Sequence, residues 1–190
     1  MDGAASAPLT VARSAWELFY RLEAGGARAF AGESAASGAG VQMQLVERSA
    51  LVTYSAAQMF ALVNDVDRYP EFLPWCVGAH VQDVSATERV AALKVARGVL
   101  HTEFTTRNTL SPDERIHMRL MHGPFRDLIG EWRFEPIGTR GSRVHFRVEF
   151  EFKNRLMAAA FNAVFESLCG TIVDAFALRA QSIYAATAGA

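Results

Sequence analysis

Residues 144–153 read VHFRVEFEFK. Val144, Phe146, Val148, Phe150 and Phe152 fall on one side of an extended chain, and His145, Arg147, Glu149, Glu151 and Lys153 on the other. Strand side chains alternate between faces, so this pattern predicts one buried and one wet face, as in an antiparallel rather than a parallel sheet. Leu100–Leu110 repeats the pattern more weakly, with Phe104 inward and His101, Glu103 and Arg107 outward.

Beyond this strand, Arg155 to about Ala185 contains no proline and a single glycine, Gly170. Leu156, Phe161, Val164, Phe165, Leu168, Ile172, Val173 and Phe176 recur at helical spacing, and Asn162, Glu166, Gly170 and Asp174 mark an opposite, wet side. About 30 residues at 1.5 Å rise make a helix roughly 45 Å long. Each large apolar side chain it buries contributes about 1.5–3 kcal/mol.

Before the strand, QLVERSALVT from Gln44 is strand-like, and Ser55 is a suitable N-cap for a helix through Met59, Phe60, Leu62 and Val63. Pro70 and Pro74 then rule out a long helix and allow a short turn. Strand-like stretches follow near Val77–Ser85, Arg89–Ala96, Leu100–Leu110, Ile116–Met121 and Leu128–Pro136. Turn signals separate them at Arg97-Gly98, Ser111-Pro112-Asp113, Gly123-Pro124 and Gly138–Ser142. The order strand, helix, meander, long helix predicts an α+β domain in which a curved antiparallel sheet grips the C-terminal helix.

Residues 1–42 differ in character, being rich in Ala, Gly and Ser, with GESAASGAG at 32–40 resembling flexible linker. Val11–Leu22 allows a short amphipathic helix bearing Trp16, Phe19 and Tyr20; Glu17 and Glu23 count against a transit peptide. The expected organisation is a flexible extension over 1–42, a ligand-binding domain over 43–185 and a tail over 186–190. Met43 opens the patterned region and is a candidate translation start.

At 190 residues, 51% hydrophobic and net charge −1, the chain suits one domain with a sizeable core and lacks the basic excess of a DNA binder. No run reaches the ~20 apolar residues of a membrane span, and a soluble protein is expected. The search for an active site is mostly negative. His80, His101, His117, His122 and His145 are dispersed without metal-ligand spacing, and no GxGxxG, P-loop or GxSxG occurs. Cys169 lies on the apolar helix as a core residue, and Cys76, in a turn, is the more reactive candidate thiol. Glu149 and Glu151 share a solvated strand face.

What remains is an apolar concave surface. Phe104, Met118, Leu120, Trp132, Phe134, Val148 and Phe150 face Phe161, Phe165, Leu168 and Ile172 across the sheet–helix gap. Either these side chains fill the gap or they line an apolar cavity for a hydrophobic ligand. The inward polar candidates are Thr106 and Asn108, with Arg97 a third.

The segment NDVDRYPEFLPWC (64–76), together with GPFRDLIGEWRF (123–134), VHFRVEFEFKNRLM (144–157) and MAAAFNAVFESLCGTIVDAFALRA (157–180), resembles the coenzyme Q-binding and ribosome-association toxin (RatA) family. That family belongs to the START-like, polyketide cyclase/dehydrase superfamily with a helix-grip fold. The likeness covers about Met43 to Ala185. It implies non-catalytic binding of ubiquinone, or a similar isoprenoid lipid, as a quinone chaperone supporting respiration, with ubiquinone as ligand and no cofactor or metal. The alternative it implies is a toxin that binds the large ribosomal subunit and blocks subunit association.

The prolines of the matching loop suit it to present Tyr69, Phe72 and Trp75, with Pro70 and Pro74, at a cavity mouth or membrane surface; otherwise these aromatics plug one end of the sheet. The expected location is cytoplasmic, with peripheral inner-membrane contact for a quinone carrier (the mitochondrial inner membrane in a eukaryote). For the ribosome reading, Arg107, Arg119, Arg133, Arg143, Arg147 and Lys153 could meet phosphates, although Glu103, Glu131, Glu135 and Glu149 are interleaved. A cyclase or dehydratase activity would need an inward acid or base, for which the candidates are thin.

Overall fold

The computed structural model describes residues Met43–Ala185. The expectations for residues 1–42, including the helix at Val11–Leu22, and for the 186–190 tail lie outside the described residues. Seven strands form one open antiparallel sheet: β1 (Gln44–Val52), β2 (Cys76–Asp83), β3 (Glu88–Arg97), β4 (Leu100–Ser111), β5 (Arg115–His122), β6 (Phe125–Ile137) and β7 (Gly141–Phe152). Their order is β1-β7-β6-β5-β4-β3-β2, so only β1 leaves the meander, crossing to pair with the last strand. Helix α1 (Ala56–Asn64) and a 3₁₀ turn (Val66–Glu71) bridge β1 and β2, and α2 (Arg155–Tyr184) closes the chain.

Local chemistry fixes these boundaries. Ser55 caps α1 through a reciprocal capping box with Gln58: the Gln58 N–H donates to the Ser55 hydroxyl and the Ser55 N–H to the Gln58 side chain. Asn154 caps α2 by accepting from the Met157 N–H at 2.9 Å. On β7 the five residues of the inward phase, Val144, Phe146, Val148, Phe150 and Phe152, are all buried, as the alternation predicts.

Helix α2 lies across the inner face, touching β1, β7 and β4, while α1 packs on β5, β6 and β7. Phe165 from the helix enters a cluster of sheet phenylalanines, with ring centroids 4.7 Å from Phe150 and 4.9 Å from Phe125. Further along, Phe176 meets Trp132 at 5.2 Å and Tyr69 at 5.2 Å.

Three helix expectations need correction. Leu156 is not in the buried stripe but 82% exposed, while Ala158 of the same turn is buried in the core. The Gly170–Asp174 side is not simply wet. Arg48 of β1 lies over it, donating to the Gly170 carbonyl at 3.0 Å, and Asp174 is half-buried. Finally, α2 is long and apolar enough, by length and composition alone, to cross a membrane. Its Phe165, Leu168, Ile172 and Phe176 nevertheless pack against the sheet as a core helix does.

Candidate functional site

Between sheet and helix the packing leaves a cavity of about 80 Å³. Its sheet walls are Ala91 and Leu93 of β3, Phe104, Thr106 and Asn108 of β4, Met118 of β5, Leu128 and Trp132 of β6, and Phe146 and Val148 of β7. The helix supplies Phe165, Leu168, Cys169 and Ile172, and the 3₁₀ segment and its exit supply Val66, Tyr69 and Trp75. No charged side chain is among them. The gap is therefore part filled and part open: the phenylalanine cluster packs one end solidly, and the cavity remains beside Trp132 and Asn108.

The structure brings Phe104, Met118, Trp132, Val148, Phe165, Leu168 and Ile172 together around this space. Phe134 and Phe150 are fully buried yet lie off the cavity; Phe134 stacks with Trp132 and sits edge-on to Phe60. Half-buried Phe161 packs near Phe152 at 5.9 Å, and half-buried Leu120 does not line the cavity either.

The aromatic loop is arranged differently from the expectation of a presented mouth. Tyr69 is 6% exposed and Trp75 8%, both built into the wall. The Tyr69 hydroxyl donates to the Val63 carbonyl at 2.6 Å. Phe72 is half-buried against Tyr69 and Phe176, with the Arg179 guanidinium 5.2 Å from its ring. Pro70 and Pro74 alone of the five are exposed. Leu93 of β3 and Met118 of β5 are the only half-buried wall residues, the other lining residues being buried.

Two polar residues interrupt the apolar wall. Thr106, 5% exposed, donates its hydroxyl to the Asn108 side-chain oxygen at 2.8 Å; Asn108 is 7% exposed. Arg97, the third inward candidate, is exposed at the end of β3 and does not reach the cavity.

The sequence profile of the family described as polyketide cyclase / dehydrase and lipid transport matches residues 52–177. The chain belongs to that family. Among its relatives, the ribosome association toxin RatA of Escherichia coli K12 is 42% identical over 146 residues, covering 77% of this chain and 92% of the toxin. The mitochondrial coenzyme Q-binding protein of Drosophila melanogaster is 30% identical over 131 residues, covering 66% of this chain and 54% of that protein. Among solved structures, an aromatase/cyclase from Streptomyces sp. R1128 superposes with a TM-score of 0.67 at 18% identity, covering 74% of this chain and 94% of that one. At that identity the likeness concerns the fold alone.

In this polyketide cyclase/dehydrase family member the thiols are quiet. Cys76 is buried, its sulfur donating to the Gly78 carbonyl at 3.4 Å, and burial pushes its pKa up, which overturns the reading of a reactive thiol. Burial likewise pushes Cys169 up to about 12. No group of three or more metal-binding side chains is present among the described residues.

Sequence reasoning missed Val66, Ala91, Leu93, Leu128, Phe146 and Cys169 as wall residues. Helical spacing to Phe165 and Ile172 could have found Cys169, and the β7 alternation already contained Phe146. The near-continuous apolar run VAALKVA of β3 carries no readable phase, so Ala91 and Leu93 had no local signal.

Proposed function

We propose that this protein binds a neutral, largely apolar ligand of the quinone class in the sheet–helix cavity and does not transform it. The carrying observation is the cavity wall: apolar throughout, free of charge, with one polar pair. Such a lining suits an uncharged ring with an isoprenoid tail and penalises a charged substrate, whose desolvation nothing repays. The coenzyme Q-binding relative from Drosophila supports the ligand class.

The lining chemistry supports binding without turnover. Its only readily titratable groups are Tyr69 and Cys169, and burial raises the pKa of both, so neither exchanges protons near neutral pH. The cavity must widen to admit a ring, since about 80 Å³ compares with roughly 300–1,000 Å³ for ligand pockets. Leu93 and Met118, the least covered wall residues, are where it would open.

The test is native mass spectrometry with solvent extraction of the full chain, purified without detergent from a quinone-containing host. A stoichiometric quinone is expected. Protein that carries none and takes up no added ubiquinone overturns the reading.

A second reading, ribosome association of the RatA type, is favoured by the 42% identity over nearly the whole toxin. The outer sheet face adds a specific feature. Arg107 and Arg119 are cross-strand neighbours, as are Arg115 and Arg133. Glu88 pairs with Arg107, and Glu131 serves both Arg115 and Arg133, while exposed Arg119 has no ion-pair partner among the described residues. Like charges directly opposed are unfavourable unless an anion relieves them, and ribosomal RNA phosphate is such an anion. Sucrose-gradient profiles on overproduction test this; unaltered subunit joining would count against it.

A further inference from the structure

We infer that Asn108, oriented by Thr106, is the element that recognises the ligand's polar head, and that this head presents a neutral oxygen acceptor such as a quinone carbonyl. The inference rests on the quinone-class reading and adds the recognising atoms.

Thr106 and Asn108 are two apart on β4, so both point inward, like Phe104 and Leu110. Asn108 stands opposite Met118 on β5, and Thr106 opposite Ala91 on β3, inside an otherwise apolar wall. The Thr106 hydroxyl spends its one proton on the Asn108 oxygen. This leaves the Asn108 amide nitrogen, with two N–H groups, without a hydrogen-bond partner among the described residues. Among the described residues the one fully enclosed side-chain atom without a partner is Arg179 Nε, so the Asn108 nitrogen is not sealed in the packing but borders the open space of the cavity. An unused donor facing an uncharged cavity calls for an acceptor on the ligand. A carboxylate or phosphate would bring a charge that no cation in the wall offsets, whereas the carbonyl of a quinone brings only lone pairs. A quinol oxygen can accept the same N–H, and the Asn108 and Thr106 oxygens keep lone pairs for its hydroxyl protons, so the pair recognises a neutral oxygen in either redox form.

The experiment titrates the full chain with decylubiquinone, decylubiquinol and decylbenzene, following quenching of Trp75 and Trp132, which line the cavity. Decylbenzene keeps a ring and tail and lacks the carbonyls. The expected result is that Asn108→Leu, close in volume, weakens decylubiquinone about tenfold, the worth of roughly one hydrogen bond, and leaves decylbenzene unchanged or tighter. Thr106→Val, which frees the amide to rotate, should lower the decylubiquinone-to-decylbenzene preference several-fold, and it serves alone should Asn108→Leu not fold. Equal quinone affinity in wild type and variants overturns the assignment while the ligand-binding reading stands. Wild-type protein that binds none of the three probes overturns both.

Discussion

The Tyr69 hydroxyl and the Val63 carbonyl meet at 2.6 Å, tying the 3₁₀ turn back onto the last turn of α1. The final carbonyls of a helix have no partner within it, and this buried phenol supplies one. The bond also explains why the aromatic loop folds inward rather than presenting its rings. Tyr69→Phe should remove the bond, strand the carbonyl and cost about 1–2 kcal/mol in urea denaturation followed by tryptophan fluorescence. An unchanged midpoint would mean that water reaches Val63.

Gly123 and Gly98 both have positive φ, but their surroundings differ. At Gly123 (φ 145°) an added Cβ would lie 2.6 Å from the Phe104 Cβ, whereas at Gly98 (φ 58°) it would meet nothing within 4 Å. Gly98→Ala should cost about 1 kcal/mol from backbone strain alone. Gly123→Ala should cost about 3 kcal/mol or more, since strain of roughly 1–3 kcal/mol is joined by displacement of a cavity wall. Thermal unfolding of the two variants side by side measures the difference, and equal losses would contradict this account.

Gly130 allows Met118 to lie flat over β6. A Cβ there would come 2.5 Å from the Met118 methyl, the flexible end of a side chain that lines the cavity. Gly130→Ala should therefore cost less than about 1.5 kcal/mol, because the thioether can swing aside. The space it occupies is then taken from the cavity, so decylubiquinone affinity should fall more than stability does. Unchanged affinity would place the ligand elsewhere.

Burial raises the Asp174 pKa, and the Arg48 charge only partly opposes this. For a carboxyl whose folded pKa lies above its unfolded one, the folded state is relatively favoured below the unfolded pKa and loses that advantage as pH rises through the folded pKa. Asp174→Asn should then raise the melting temperature at neutral pH, with the gain fading as pH falls into the ordinary carboxylate range. A gain that persists in acid, or a loss at neutral pH, would show that the Arg48 interaction dominates.

Much of this architecture was legible in the chain itself. The β7 alternation, Ser55 ahead of an apolar helix, the prolines at 70 and 74 and the long proline-free C-terminus each carry a local physical meaning. Because these signals are periodic or conformational, they survive without knowledge of distant contacts. Phe104, Trp132, Val148, Phe165, Leu168 and Ile172 could be placed around the sheet–helix gap by phase alone.

Phase names a face, however, and not what fills it. Phe134 and Phe150 share the inward phase of Trp132 and Val148 but are absorbed into aromatic packing. Which side chains border empty space depends on how α2 crosses the sheet. The inward fold of Tyr69 and Trp75 depends likewise on a carbonyl six residues upstream and on Phe176 more than 100 residues away. The sequence by itself determined the elements, their order and the buried face of each. Only the tertiary structure decided that the cavity is small, which side chains border it, and that the Thr106–Asn108 pair stands in its wall, because voids arise from three-dimensional packing between residues far apart in the chain.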